Sequence, residues 1–349
     1  MSRRGIPVKL YGINSPGKSE LRLQKSVGAT GGKPGVDAMG KSECGWIVRS
    51  MTEGVKDRIP TGELCIDKAV IKQALNCERA GFEETYAFVS GMNMDIFTIS
   101  SVYPDQAKRL PRPDECLWPD LRRWTTETPL FTFALLDGPF EWGLHIFGFH
   151  DFLMLDKTSP SALSGFIREV EELNQALILF LARAGIDGII LGDDIAYAKG
   201  LMMRPSVLRE YFSPSLSRQV AVATKKGLPV FYHSDGNYRD FIPDLIEAGF
   251  NGLHCLDKSS GMEITQIQQQ VGNALCLWGH LDVADATQAG DAKKLSDLVD
   301  SIRRLASGKR FILGTNSGLF KGMDLEGLRA LYRSASQFPS CRSADEFIF

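Results

Sequence analysis

A (β/α)8 barrel in a single domain is the fold class this sequence predicts, and three observations predict it. From about residue 44 onward, short apolar runs of β-forming residues alternate with segments of helical spacing. Eight such runs fall within about 250 to 300 residues, the length that eight parallel strands and their crossover helices need. The runner-up, a doubly wound open sheet, lacks its usual fingerprints: no G-x-G-x-x-G follows an early strand, and no G-x-x-x-x-G-K-[ST] occurs anywhere.

Residues 1–43 are rich in Gly, Lys and Ser and follow neither period, so they read as an irregular N-terminal extension to a barrel spanning 44–349. The predicted strands are RIPTGELCI (58–66), DIFTIS (95–100), FTFALL (131–136), IDGIIL (186–191), PVFYH (229–233), NGLHC (251–255), ALCLWG (274–279) and RFILG (310–314). Between the third and fourth, Ser159-Pro160 opens a helix whose apolar positions Leu163, Phe166, Ile167, Val170, Leu173 and Leu177 follow the 3.6 period, and Gly185 ends it. Arg204-Pro205 opens the next helix, which Pro214 should kink or split by removing a backbone donor, before Gly227 stops it. Asp324 is placed to cap the last helix.

Composition narrows the partner. Forty basic against forty-two acidic side chains give a formal charge of −2 with no Lys/Arg block, so nothing marks the chain for nucleic acid or anionic lipid. No apolar h-region begins the chain and no segment approaches the roughly 18 apolar residues of a membrane span, which predicts a soluble, cytoplasmic protein with a small-molecule substrate. Seven cysteines without a C-x-x-C read as reduced thiols, and the spacing excludes a zinc knuckle.

In a barrel the reactive groups sit at the C-terminal strand ends. There the chain carries Asp137-Gly-Pro after the third strand, Asp193-Asp194 after the fourth, and His233-Ser-Asp235-Gly at the fifth. His254-Cys255-Leu-Asp257, Gly279-His280-Leu-Asp282 and Gly314-Thr-Asn316 follow at the sixth, seventh and eighth. Asp and Asn at such ends often only cap the next helix. Imidazole is not needed for capping, and three of the five histidines, His233, His254 and His280, lie on adjacent strands at one mouth. His145 and His150 sit among aromatics and read as pocket wall. Of the adjacent carboxylates one can turn into the mouth while the other caps; Asp194, nearer the loop, is the choice for the mouth. His233 and Asp235 share a strand face at i and i+2, which suits a proton-transfer pair or, with Cys255, a metal site.

The runs GIDGIILGDDIAYAKGLMMRP, REYFSP, GLPVFYHSDGNYRDFIPDLIEAGFNGLHCLDKSSGM and LWGHLD resemble the uroporphyrinogen decarboxylase superfamily of (β/α)8 barrels, over roughly residues 48 to 337. The true decarboxylases of that superfamily carry R-Q-A-G-R after the first strand, F-S-D-I-L after the second and G-H-G near the end. This chain has RIPTGELCI, DIFTISSVYP and Gly314-Thr315-Asn316 there. The resemblance therefore implies the corrinoid-dependent methyltransferase-like members, with a corrinoid (cobalamin) co-substrate, a corrinoid-protein partner and zinc. Those members bind zinc through H-x-C and a later Cys, where this chain has His233-x-Asp235 and Thr315-Asn316. On this reading His233, Asp235, Asp194 and His280 are catalytic, and Asp193, His254, Asp257, Asn316 and Asp137 bind substrate. A carboxy-lyase and a non-catalytic tetrapyrrole-binding barrel are the alternatives.

Overall fold

The computed structural model describes residues 44–103, 108–282 and 291–336, so the expected extension and Cys341 lie outside the described residues. Among the described residues nine strands run in chain order: β1 Ile96–Ser100, β2 Phe131–Asp137, β3 Gly188–Gly192, β4 Ala196–Tyr197, β5 Gly200–Leu201, β6 Val230–His233, β7 Gly252–His254, β8 Cys276–Leu281 and β9 Phe311–Thr315. Seven of them form one parallel sheet in the order β1-β2-β3-β6-β7-β8-β9. The strands read as unbroken apolar runs because both their faces are covered.

The sheet closes through the first predicted strand. Thr61 bridges Leu313 of β9 and Gly62 bridges Ile96 of β1. The bonds are Gly62 N to Leu313 O and Ile96 N to Thr61 O, each 3.0 Å. Pro60 has no amide hydrogen to give, so this segment pairs over two residues rather than across the nine that the apolar pattern suggested. Below it Arg58 pairs with Asp95, whose carboxylate also accepts from Thr61 N at 3.1 Å.

Large rings fill the barrel, and glycines on the neighbouring strands make room for them. Phe133 leans on Gly188, where a Cβ would come within 2.4 Å of the ring; Phe231 leans on Gly252 (2.2 Å) and Trp278 on Gly314 (2.9 Å). Phe133, Phe231 and Trp278 pack within 5.3–6.0 Å of one another, centroid to centroid. Ile47 and Met51, from the helix Gly45–Thr52, join this interior cluster.

The outer helices follow the sequence signals. Pro160–Ala184 buries the predicted stripe and ends at Gly185 with φ 85°. Pro214 has the predicted effect: a π turn, Leu208–Phe212, separates the short helix Pro205–Val207 from Ser213–Thr224, with Ser213 N bonded to Leu208 O. Asp324 accepts from Gly327 N at 3.0 Å. The hairpin β4–β5 was not anticipated; it rises from the loop after β3 and bears on the mouth. None of the described helices is long and apolar enough to cross a membrane.

Candidate active site at the strand ends

β3, β6 and β7 lie side by side, and their register sets Gly192 beside His233 and His233 beside His254. The two imidazoles meet through Nδ1 atoms 2.9 Å apart. His254 is fully buried and packs edge-on against Trp278, centroids 5.2 Å apart, so the ring layer of the barrel is its floor.

Each residue of HSDG has a separate task. His233 turns inward, 3 % exposed. The Ser234 hydroxyl accepts from Ile195 N at 3.2 Å and donates to Asp235 O at 2.9 Å, fixing the root of the hairpin. Asp235 N donates to Asp194 Oδ1 at 2.8 Å, which holds that carboxylate over the mouth. Gly236, at φ 79°, lies under the hairpin, where a Cβ would meet the Ala196 and Tyr197 backbone at 2.7 Å.

Asp193 and Asp194 divide the work. Asp193 Oδ1 accepts from Phe140 N (2.7 Å) and Glu141 N (2.9 Å), capping the helix Pro139–Phe147 that leaves β2. Its Oδ2 is buried without a hydrogen-bond partner, and burial pushes its pKa up to about 8. Asp194 faces His233 instead, Oδ1 to Nε2 3.9 Å. Burial raises its pKa, while the His233 charge opposes the rise. Asp194, His233 and Asp235 each present a ligand atom within 4.8 Å of the others, the grouping among the described residues that could hold a metal ion.

Cys255 is not in that group; its buried thiol hydrogen-bonds Asp235, and burial pushes its pKa well up. Asp137 accepts from the Tyr103 hydroxyl at 2.7 Å. Asp257 accepts from Ser259 N (2.9 Å) and from the Ser259 and Ser260 hydroxyls (2.7 and 2.8 Å), and lies 3.5 Å from Asn316 Nδ2. His280 stands at the end of β8 with Nδ1 2.8 Å from Gly279 O and its ring toward Phe311. The strand-end residues thus form two groups. Asp137, Asp193, Asp194, His233, Asp235, His254 and Cys255 gather over β2 to β7, and Asp257 with Asn316 forms the second.

Two acids were missed. Glu141, in the first turn of the capped helix, has its pKa raised to about 9, first by burial and then by the carboxylates of Asp194, Asp137, Asp193 and Asp235. The signal was its place one turn past a strand end, which also reads as a plain helix-dipole partner. Glu63 follows the closing strand, is 2 % exposed, and accepts from Thr315 N (3.1 Å), Thr315 Oγ1 (2.6 Å) and the Tyr332 hydroxyl. Carboxyls this displaced, clustered at a barrel mouth, are what a reactive site looks like physically.

Known proteins resemble this chain in sequence and in fold. A family model described as uroporphyrinogen decarboxylase (URO-D) matches residues 116–338. A methylated-thiol–coenzyme M methyltransferase of Methanosarcina mazei is 24 % identical over 249 residues, 67 % of this chain; the match spans 65 % of that relative's length. A solved methyltransferase structure from Methanosarcina mazei superposes with a TM-score of 0.63 at 12 % identity, covering 84 % of this chain and 98 % of that one.

Proposed function

This chain belongs to the uroporphyrinogen decarboxylase family, and from that premise we propose that it is a cytoplasmic methyltransferase that moves a methyl group between a corrinoid and a small-molecule acceptor. The corrinoid, a cobalamin or one held by a corrinoid protein, is the co-substrate. The observation that carries the reading is the Asp194–His233–Asp235 group in a mouth where the charges acting on Glu141 are all carboxylates. A polycarboxylate substrate needs cations to meet it. Arg58, the one arginine near the first strand, is instead paired with Asp95 below the closing bridges.

The donor set fits a divalent metal. One imidazole and two carboxylates are good N and O ligands for zinc or a similar ion, and three protein ligands leave a position open for substrate. Bound there, the ion would lower the pKa of an acceptor thiol or hydroxyl. The chain's own residues handle the rest. The corrinoid would supply or take up the methyl group, and methylation of a protonated acceptor would release the acceptor's proton. Asp194 or Asp235 would receive that proton where it is not ligating the ion, and the Asp235 backbone amide holds Asp194 in place. Burial, with the neighbouring carboxylates adding to it, keeps Glu141 protonated near neutral pH, so it adds no charge to the mouth.

Metal analysis of the purified protein, with absorbance titrations against a cobalamin and against a porphyrinogen, tests this. The expected result is one divalent metal per chain, lost in His233→Ala, and a spectral change with the cobalamin only. Absence of metal and of any cobalamin response, with His233→Ala leaving every tested activity intact, would sink methyl transfer. Porphyrinogen turnover would favour the carboxy-lyase.

A further inference from the structure

Successive residues of a strand point to opposite faces, and Phe231 and Tyr232 at the end of β6 follow that rule. Phe231 joins the ring cluster inside the barrel. Tyr232 lies instead in the cluster formed with the outer helices, its ring packed on Phe250 and Tyr238 with centroids 5.3 and 6.0 Å away. His233 and Asp235 carry the side chains of the candidate site. The residues that alternate with them, Tyr232 and Ser234, are both fully buried and both end in a hydroxyl.

Those two hydroxyls go to the turn that bears Asp194. Asp193 O accepts from the Tyr232 hydroxyl at 3.0 Å, and Ile195 N donates to the Ser234 hydroxyl at 3.2 Å. The same carbonyl and amide also meet each other, Ile195 N to Asp193 O at 2.8 Å, which closes a three-residue turn with Asp194 at its centre. Asp193 N donates to His233 O at 2.8 Å, tying the start of the turn to β6.

A peptide unit is a rigid plane, so the planes on either side of a residue set the direction of its Cα–Cβ bond. For Asp194 one plane carries the Asp193 carbonyl and the other the Ile195 amide. Tyr232 holds the first and Ser234 the second. Only the side-chain torsions are then left to settle, and Asp235 N takes up Oδ1 at 2.8 Å.

We propose that Tyr232 and Ser234 are positioning residues for Asp194: their hydroxyls fix the two peptide planes that flank it, so that its carboxylate is held over the mouth beside His233. The run Tyr-His-Ser-Asp thus interleaves two tasks, with the side chains of the site at 233 and 235 and the frame of their third partner at 232 and 234. Both hydroxyls act through backbone groups and not on a substrate. Groups that orient a ligand without touching the ion are worth about 10- to 100-fold in metal affinity. The frame itself does not depend on methyl transfer; its effect on metal affinity rests on the metal reading of the site given above.

The test reads Asp194 through its partner. Asp235 N–H bonds Asp194 Oδ1, so its hydrogen-exchange rate reports how firmly that carboxylate is held. In the metal-free full chain, Tyr232→Phe keeps the ring and deletes the hydroxyl. Exchange at the Asp235 amide should quicken about tenfold, the effect of one lost hydrogen bond, while the amides within β6 and β7 keep their rates. Ser234→Ala should do the same, and covers the case in which Tyr232→Phe does not fold. Titrated with Zn2+ alone, each variant should bind about tenfold more weakly than wild type. Unchanged exchange at Asp235 in either folded variant overturns the proposal. Acceleration shared by all the barrel strands also overturns it, because the hydroxyls would then support the fold alone. Local quickening at Asp235, in a protein whose wild type binds no zinc, supports the frame and counts against the metal reading instead.

Discussion

Replacing Glu63 with glutamine should remove a defined part of the pH dependence of folding. The Glu63 carboxyl is buried among three donors, Thr315 N, Thr315 Oγ1 and the Tyr332 hydroxyl, which favour its anion. Burial outweighs them and lifts its pKa from 4.5 to about 7. The folded chain thus holds this proton more tightly than the unfolded one. The stabilisation is complete below pH 4.5 and is lost as pH rises through about 7. A gap of about 2.5 pH units is ~3 kcal/mol at 1.36 kcal/mol per pH unit. Glutamine keeps an acceptor oxygen and cannot ionise, so it imitates the acid form at all pH values. Urea unfolding of both proteins from pH 4.5 to 8 is the assay. Wild type should fall relative to Glu63→Gln by ~3 kcal/mol over that range, with the steepest loss between the two pKa values. Parallel stability curves would refute the reasoning, and a wild type that gained stability with pH would show the three donors prevailing over burial.

Asp193→Ala uncovers the Phe140 and Glu141 amides and should cost about 1–2 kcal/mol in denaturant unfolding, with Asp193→Asn costing less because an acceptor oxygen remains. Gly314→Ala brings a Cβ within 2.2 Å of Gly62 O and 2.9 Å of Trp278 Nε1, at the seam that closes the barrel; a loss of about 1–3 kcal/mol, read as a lowered Tm, is expected. Asp235→Cys, kept reduced, offers a thiolate where the site has an oxygen donor, and should tighten Zn2+ binding tenfold or more, ~1.4 kcal/mol, in a competition titration. Unchanged affinity would place residue 235 outside the metal's reach.

What could be read in advance was the part encoded by local pattern. Each regular barrel strand sits within a residue or two of an apolar run, and Pro160, Gly185, Pro214 and Asp324 punctuate the helices as their backbone chemistry requires. The roles of Asp193 and Asp194 could not be separated by pattern, because the helix that Asp193 caps starts some fifty residues earlier, at Pro139. Glu63 lay beyond reach for the same reason: its partners, Thr315 and Tyr332, are more than 250 residues away along the chain. The strand glycines carried a signal of another kind. Gly188, Gly252 and Gly314 have no turn to serve; each admits an aromatic ring from the preceding strand. The hairpin β4–β5 pairs only two residues on each side, too few for a period of two to show.

The chemistry of the mouth follows from which side chains are spent elsewhere. Asp193 is committed to a helix N-terminus, Asp257 to its own turn, and Arg58 to Asp95, so none of the three is left free to meet a substrate's charge. What remains near one imidazole is Asp194, Asp235 and Glu141, with Asp137 beside them bonded to the Tyr103 hydroxyl. Their mutual repulsion is relieved in only two ways, by taking up protons or by taking up a cation. Glu141 shows the first: burial, with the carboxylates of Asp194, Asp137, Asp193 and Asp235 adding to it, drives its pKa to about 9. Asp194, which accepts from Asp235 N at 2.8 Å, groups with Asp235 and His233 so that one ligand atom of each lies within 4.8 Å of the others, an arrangement suited to the second. A site that must gather positive charge to be stable repels a substrate made of carboxylates. On the proposed function it would accommodate a metal ion with the anionic form of a methyl acceptor beside it, so the same residues that argue against porphyrinogen decarboxylation favour the methyl-transfer proposal.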